Sequence, residues 1–130
     1  MLFRSKMAMS NIKGGVRISN VGGLIEKEAK KRGFQVIKNL CGHGIGRRLH
    51  EPPTEIANYR DRFNTQRFRK NSVIALETFI STKSRYVHEM EDGWTMKTKD
   101  NSFVAQHEHT LVVTDGYPIV LTEGNGVFDF

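Results

Sequence analysis

The sequence has 130 residues, 38% hydrophobic and 26% charged, with twelve glycines and three prolines, a balance that fits one compact domain with a modest core. The net charge of +6 is uneven, with +12 on residues 1–85 and −6 on residues 86–130, which suits a polyanionic neighbour such as ribosomal RNA and equally a set of solvated charges. The single cysteine, Cys41, excludes an internal disulfide framework, the absence of any 18-residue apolar run excludes a membrane-spanning helix, and with no secretory apolar segment near the start the expected compartment is the cytoplasm.

Residues 1–13 carry charges at Arg4 and Lys6 and read as an N-terminal extension of unclear order. Ile18, Val21, Ile25 and Ala29 then recur at helical spacing behind a Ser19-Asn20 cap region. Glu26, Lys27, Lys30 and Lys31 supply the polar face, and Gly33 stands where a glycine stops a helix, so the pattern predicts a helix over roughly residues 19–32. After Gly33 the chain changes to short runs rich in Val, Ile, Phe and Thr: residues 34–37, 72–79, 85–89, 94–99, 103–113 and 117–122. Asp115-Gly116 lies between two apolar runs and predicts a tight hairpin with positive φ at both central positions. Glu91-Asp92-Gly93 marks a looser turn. A helix followed by consecutive hairpins predicts an α+β fold in which an antiparallel sheet is covered on one face by the helix.

The densest chemistry lies in residues 41–53, Cys41-Gly42-His43-Gly44-Ile45-Gly46-Arg47-Arg48-Leu49-His50-Glu51-Pro52-Pro53. Its three glycines in five positions suit a loop whose backbone approaches a ligand closely, with His43 and His50 flanking it. The spacing is neither a dinucleotide fingerprint nor a phosphate loop, and His50-Glu51 cannot open a zincin helix because Pro52 and Pro53 would break it.

Two carboxylates extend the pattern. Glu77 sits within Val73-Ile74-Ala75-Leu76-Glu77-Thr78-Phe79, where a buried carboxylate needs a cation or hydrogen bonds. Glu108 sits in Ala105-Gln106-His107-Glu108-His109-Thr110, where strand alternation places Gln106, Glu108 and Thr110 on one face and His107 and His109 on the other. Either face could bind metal: the two histidines as a zinc pair, or Glu108 with Glu77 around a harder ion. Residues 60–70 add five cations, one aspartate and two phenylalanines, compatible with base stacking or with a solvated loop whose rings pack on the sheet.

Taken in order, Gly42-His43-Gly44-Ile45-Gly46 with Leu49-His50-Glu51-Pro52-Pro53, the apolar run ending near Glu77, Asp92-Gly93-Trp94-Thr95, and Ala105-Gln106-His107-Glu108-His109-Thr110 closely resemble the type I methionine aminopeptidases over about residues 14–123. The resemblance implies a pita-bread fold of two pseudo-symmetric halves around a dinuclear metal site, with residues 14–130 corresponding to the C-terminal half. It implies His43, Glu77 and Glu108 as metal ligands, His50 and Glu77 as catalytic residues, and His50, Leu49 and Trp94 as substrate contacts, with Cys41 matching a pocket position more loosely. The implied cofactor is a divalent ion (Co, Mn, Fe or Zn), two in the complete family enzyme and at most one here. The implied activity is hydrolytic removal of the N-terminal methionine from nascent proteins during their maturation. The partners that follow are the nascent-chain N-terminus, the ribosome surface and a missing N-terminal half, with no membrane.

Two departures stand out. Thr78 occupies a position where many members have proline, which changes no ligand. More seriously, no Asp or His occurs among the first 42 residues, so the family's two upstream aspartate ligands have no counterpart, and Asp61, Asp92, Asp100, Asp115 and Asp129 fall where the family uses none. The expectation is an incomplete aminopeptidase. The alternative is a non-catalytic pita-bread half that binds protein or ribosomal RNA. X-Pro peptidases of the same fold are disfavoured by residues 105–110.

Overall fold

The computed structural model describes residues 2–124, with side chains from Lys6 onward; Asp129 lies outside the described residues. Two helices, α1 (Leu2–Ser10) and α2 (Ile18–Lys31), precede eight strands: β1 (Gln35–Val36), β2 (Cys41–Ile45), β3 (Glu51–Ala57), β4 (Val73–Ser81), β5 (His88–Glu89), β6 (Met96–Lys97), β7 (Val104–Val112) and β8 (Ile119–Val120). The main sheet runs β3-β2-β4-β7-β8, with β1 also on β4, and every pairing is antiparallel. Strands β5 and β6 form a separate two-stranded arm. The α+β architecture is the one the residue pattern predicts.

Helix α2 buries Ile18, Val21, Ile25 and Ala29, the apolar stripe seen in the sequence. It begins at Ile18, one residue early, and its N-cap is Arg17 without a side-chain cap. Ser19 does not cap the helix: its hydroxyl donates to the Asp61 carbonyl at 2.6 Å and ties the segment after β3 to the helix. Gly33, at φ 79°, ends the helix as expected, its N–H reaching the Lys30 carbonyl at 3.0 Å. The segment read as an extension forms α1, and its Ala8 and Met9, with Ile12 beyond it, join the core.

Alternation along β4 and β7 sets the two faces of the sheet. Ile74, Leu76 and Ile80 of β4 and Leu111 of β7 join the helical stripe in the core. Ala75, Glu77 and Phe79 point the other way, opposite Thr110, Glu108 and Gln106.

Two expectations need correction. The glycine-rich residues 41–53 are not a loop but strands β2 and β3 joined by a short turn. Their glycines accommodate neighbouring strands: a Cβ on Gly42 or Gly44 would come within 3.0 Å of backbone carbonyls of Ala75, or of Glu51 and Pro52. Pro52 and Pro53 are tolerated because β3 is an edge strand. The hairpin joining β7 to β8 exists, yet neither Asp115 nor Gly116 takes positive φ. The connection is longer than two residues, and Thr114 organises it by accepting the Gly116 N–H and donating to the Tyr117 carbonyl, both at 3.0 Å.

Candidate active site

The site grows from the central strand pair. Register places Glu77 of β4 directly opposite Glu108 of β7, so two carboxylates share one face of the sheet. The Gln106 amide lies between them, donating to Glu108 Oε2 at 3.2 Å and, more weakly, to Glu77 Oε2 at 3.5 Å. Burial, and then the like charge of Glu108, push the Glu77 carboxyl above the usual carboxylate range, while His43 and the Gln106 amide pull the other way.

His43 comes from the middle of β2, where it pairs with Ala75, and its side chain is buried. Its Nδ1 lies 2.8 Å from the Gly44 carbonyl, an acceptor only, so Nδ1 carries the proton and Nε2 points at Glu77 Oε1 across 3.3 Å. A lone pair facing a carboxylate oxygen is repulsive unless a proton or a cation sits between them. Backbone anchoring of the distal ring nitrogen is also the usual second contact of a metal-ligating histidine. The exposed His50, in the turn after β2, lays its ring 4.0 Å from that of His43 at 41°.

In donor type the cluster fits a divalent ion: one imidazole nitrogen and two carboxylates, with a like-charge pair that a cation would relieve. In number it is incomplete. Among the described residues no group of three or more His, Cys, Asp or Glu is arranged to hold a metal ion by itself.

The remaining candidates lie apart. Leu49 is 67% exposed in the β2–β3 turn, and Trp94 is 87% exposed on the β5–β6 turn, where Asp92 Oδ1 accepts its N–H at 3.0 Å. Among the described residues no hydrogen bond, ion pair or ring contact joins either to the cluster. Cys41 is half-buried at the start of β2, and burial raises its thiol pKa. His107 and His109 occupy the opposite, core-facing side of β7, opposite Thr78 and Leu76. Their rings meet edge-on at 4.8 Å, His109 Nδ1 lies 2.6 Å from Thr122 Oγ1, and burial lowers both imidazole pKa values. Gln106 is the site residue that sequence reasoning placed on the right face without giving it a role. Its position two residues before Glu108 in a strand was the available signal.

Residues 4–115 match metallopeptidase family M24. The chain is 51% identical over 115 residues to methionine aminopeptidase 2 of Bacillus subtilis, spanning 88% of this chain and 46% of that protein. It is 37% identical over 116 residues to the methionine aminopeptidase of Escherichia coli, spanning 89% and 44%. In three dimensions it superposes on a methionine aminopeptidase from Thermotoga maritima with a TM-score of 0.85 at 37% identity, covering 92% of this chain and 48% of that one. An X-Pro aminopeptidase from the same organism shares the fold, with a TM-score of 0.62 at 20% identity over 92% of this chain and 28% of that one. The chain thus spans about half the length of the curated relatives it matches, and at the level these matches establish, it belongs to metallopeptidase family M24.

Proposed function

We propose that the chain supplies the His43, Glu77 and Glu108 half of a methionine aminopeptidase site, acting on the N-terminus of newly made proteins in the cytoplasm. The observation that carries this reading is the alignment of His43 Nε2 on Glu77 Oε1 at 3.3 Å beside the Glu77–Glu108 register pair. It is supported by the relatives at 37–51% identity, from Bacillus subtilis, Escherichia coli and Thermotoga maritima, each of which is a methionine aminopeptidase about half of whose length the chain matches.

His43, Glu77 and Glu108 would hold a divalent ion of the Co, Mn, Fe or Zn class, which when bound supplies Lewis acidity and a water of lowered pKa. The Gly44 carbonyl fixes the His43 tautomer and ring direction. Glu77, which faces His43 Nε2 and shares the Gln106 amide with Glu108, can take a proton from the attacking water and return it to a leaving amine. His50, its ring tilted against that of His43 and open to solvent, orients the scissile amide, and Leu49 with Trp94 offers apolar surface to the methionine side chain. The two aspartate ligands expected of a complete site have no counterpart before His43 in these 130 residues.

Three donors carrying two negative charges suit at most one divalent ion. Calorimetry of the 130-residue polypeptide with Mn, Co or Zn should show one weak site or none, and incubation with a Met-Ala-Ser peptide should release no appreciable methionine. Supplying the first half of the Bacillus subtilis relative in trans should restore release, and Glu108→Ala should abolish it. Two tight sites in the polypeptide alone, or release indifferent to Glu108→Ala, would overturn the reading.

A further inference from the structure

Four of the cations of residues 1–85 gather at one place on the helical layer. A cleft of about 870 Å³ runs along the outer side of α2 and the turn after α1, and Lys13, Lys27, Lys30 and Arg60 line it with Glu26 as its one acid. Glu26 is already engaged: its carboxylate pairs with Lys30 at 3.0 Å, and the Arg60 backbone N–H also lowers its pKa. Gly23 opens the cleft from the helix side, since a Cβ there would stand 3.3 Å from the Arg60 Cβ. The glycine lets the arginine stem lie across α2.

The loop after Arg60 presents an aromatic beside these cations. Asp61 Oδ1 accepts the Phe63 N–H at 2.9 Å, and Asn64 Oδ1 accepts the Gln66 N–H at 2.9 Å. Two successive side-chain turns therefore fix the loop, and Ser19 and Arg17 bind it to α2 through the Asp61 and Asn64 carbonyls at 2.6 and 3.1 Å. The two phenylalanines of the segment have opposite fates: Phe68 is 2% exposed in the core, whereas Phe63 is 93% exposed. A phenylalanine in that position gives up burial to present its ring to solvent, and Arg60 and Arg62 precede it in sequence.

We propose that this surface, the α2 cleft with the Phe63 loop, binds single-stranded RNA. Cations along a cleft neutralise backbone phosphates, and an exposed ring stacks on a base only where that base is unpaired. A lipid surface would call for an exposed apolar stripe, whereas the apolar residues lining the cleft, Val16, Val21 and Leu24, are buried or half-buried and Phe63 on the adjoining loop is a single ring. The surface belongs to the helical layer, across the sheet from Glu77 and Glu108, so an RNA strand there leaves the carboxylate face open.

Fluorescence anisotropy of the 130-residue chain with a labelled oligouridine, a duplex RNA of equal length and anionic phosphatidylserine vesicles tests the proposal. Oligouridine should bind best, and its log affinity should fall with log salt at a slope of roughly −3 for four phosphate contacts. Lys27→Glu with Arg60→Glu should weaken binding by about tenfold or more, and Phe63→Ala by roughly fivefold to twentyfold. Lys97→Glu with Lys99→Glu, the same charge change on the β6 arm, should cost less than about twofold. All substituted side chains are exposed, and unchanged melting temperatures would show that each variant is folded. Equal losses from the two charge pairs, an unaffected Phe63→Ala, no oligouridine binding, or tighter binding of duplex or vesicles would each overturn it.

Discussion

The two faces of β4 solve opposite problems with adjacent residues. On the covered face Ile74, Leu76 and Ile80 lose their water to α1, α2 and β7, and their contribution is the ordinary one of apolar burial. On the open face Glu77 stands half-withdrawn from solvent against a second carboxylate, an arrangement that costs stability in the isolated chain. One face holds the fold together, and the other sets two like charges against each other. The contrast shows why a charged residue inside an apolar strand is informative: nothing in the packing of β4 calls for it.

The largest effect expected from this contrast is on stability. Leu76→Ala should destabilise the chain by about 2–5 kcal/mol in a denaturant titration, because it empties a position 2% exposed in the core. A loss below about 0.5 kcal/mol would mean that the covered face is not the one that holds the fold.

Next in size is ion binding. Glu108→Ala should weaken whatever divalent binding calorimetry detects by about tenfold or more, or about 1.4 kcal/mol. His109→Ala, on the covered face, should leave ion affinity unchanged while lowering the melting temperature. Reversal of that pattern would exchange the roles of the two faces.

The pH dependence should also differ in sign between the faces. Burial lowers the His107 and His109 pKa values below the ordinary imidazole value of 6.5, so the unfolded chain binds more protons there and stability falls as pH drops below 6.5. Glu77 is raised above 4.5, so the folded chain binds more protons and stability falls as pH rises from 4.5 through the raised value. In the presence of a chelator, Glu77→Gln should flatten that second arm and stabilise the chain at neutral pH by about 0.2–1 kcal/mol, the size of a directly opposed like-charge pair. An unchanged profile between pH 4.5 and 7 would remove the repulsion from the account.

The smallest effect belongs to Gln106. Its amide sits between the carboxylates on an exposed strand position, and Gln106→Ala should change stability by less than about 0.5 kcal/mol. Its measurable consequence should be at the site, as a further rise of the Glu77 pKa in a carboxyl-resolved NMR titration.

Much of this contrast was legible in the residues. Helix α2 followed from Ile18, Val21, Ile25 and Ala29, and strict alternation around Glu108 separated it correctly from His107 and His109. The segment from Cys41 to Ala57 was not legible as strand, because glycine and proline weaken a strand signal, and only the closeness of the Ala75 and Pro52 carbonyls explains why they are required. Helix α1 was equally hidden: Ala8 and Met9 are too few to mark a periodic stripe, and it is tertiary packing that makes them core. The Asp115-Gly116 turn misled because the connection is long enough to satisfy Thr114 without positive φ.

His43 rides on a strand hydrogen-bonded along both edges, to β3 and to β4, whereas Trp94 sits on an arm joined by two residue pairs. Exposing the imidazole therefore requires the sheet itself to come apart, while the arm can open alone. In hydrogen exchange the His43 and Ala75 amides should be among the slowest of the chain, and those near Trp94 among the fastest. If the two belong to one site as proposed, the arm carrying Trp94 can rearrange many times over without disturbing the strand that holds His43.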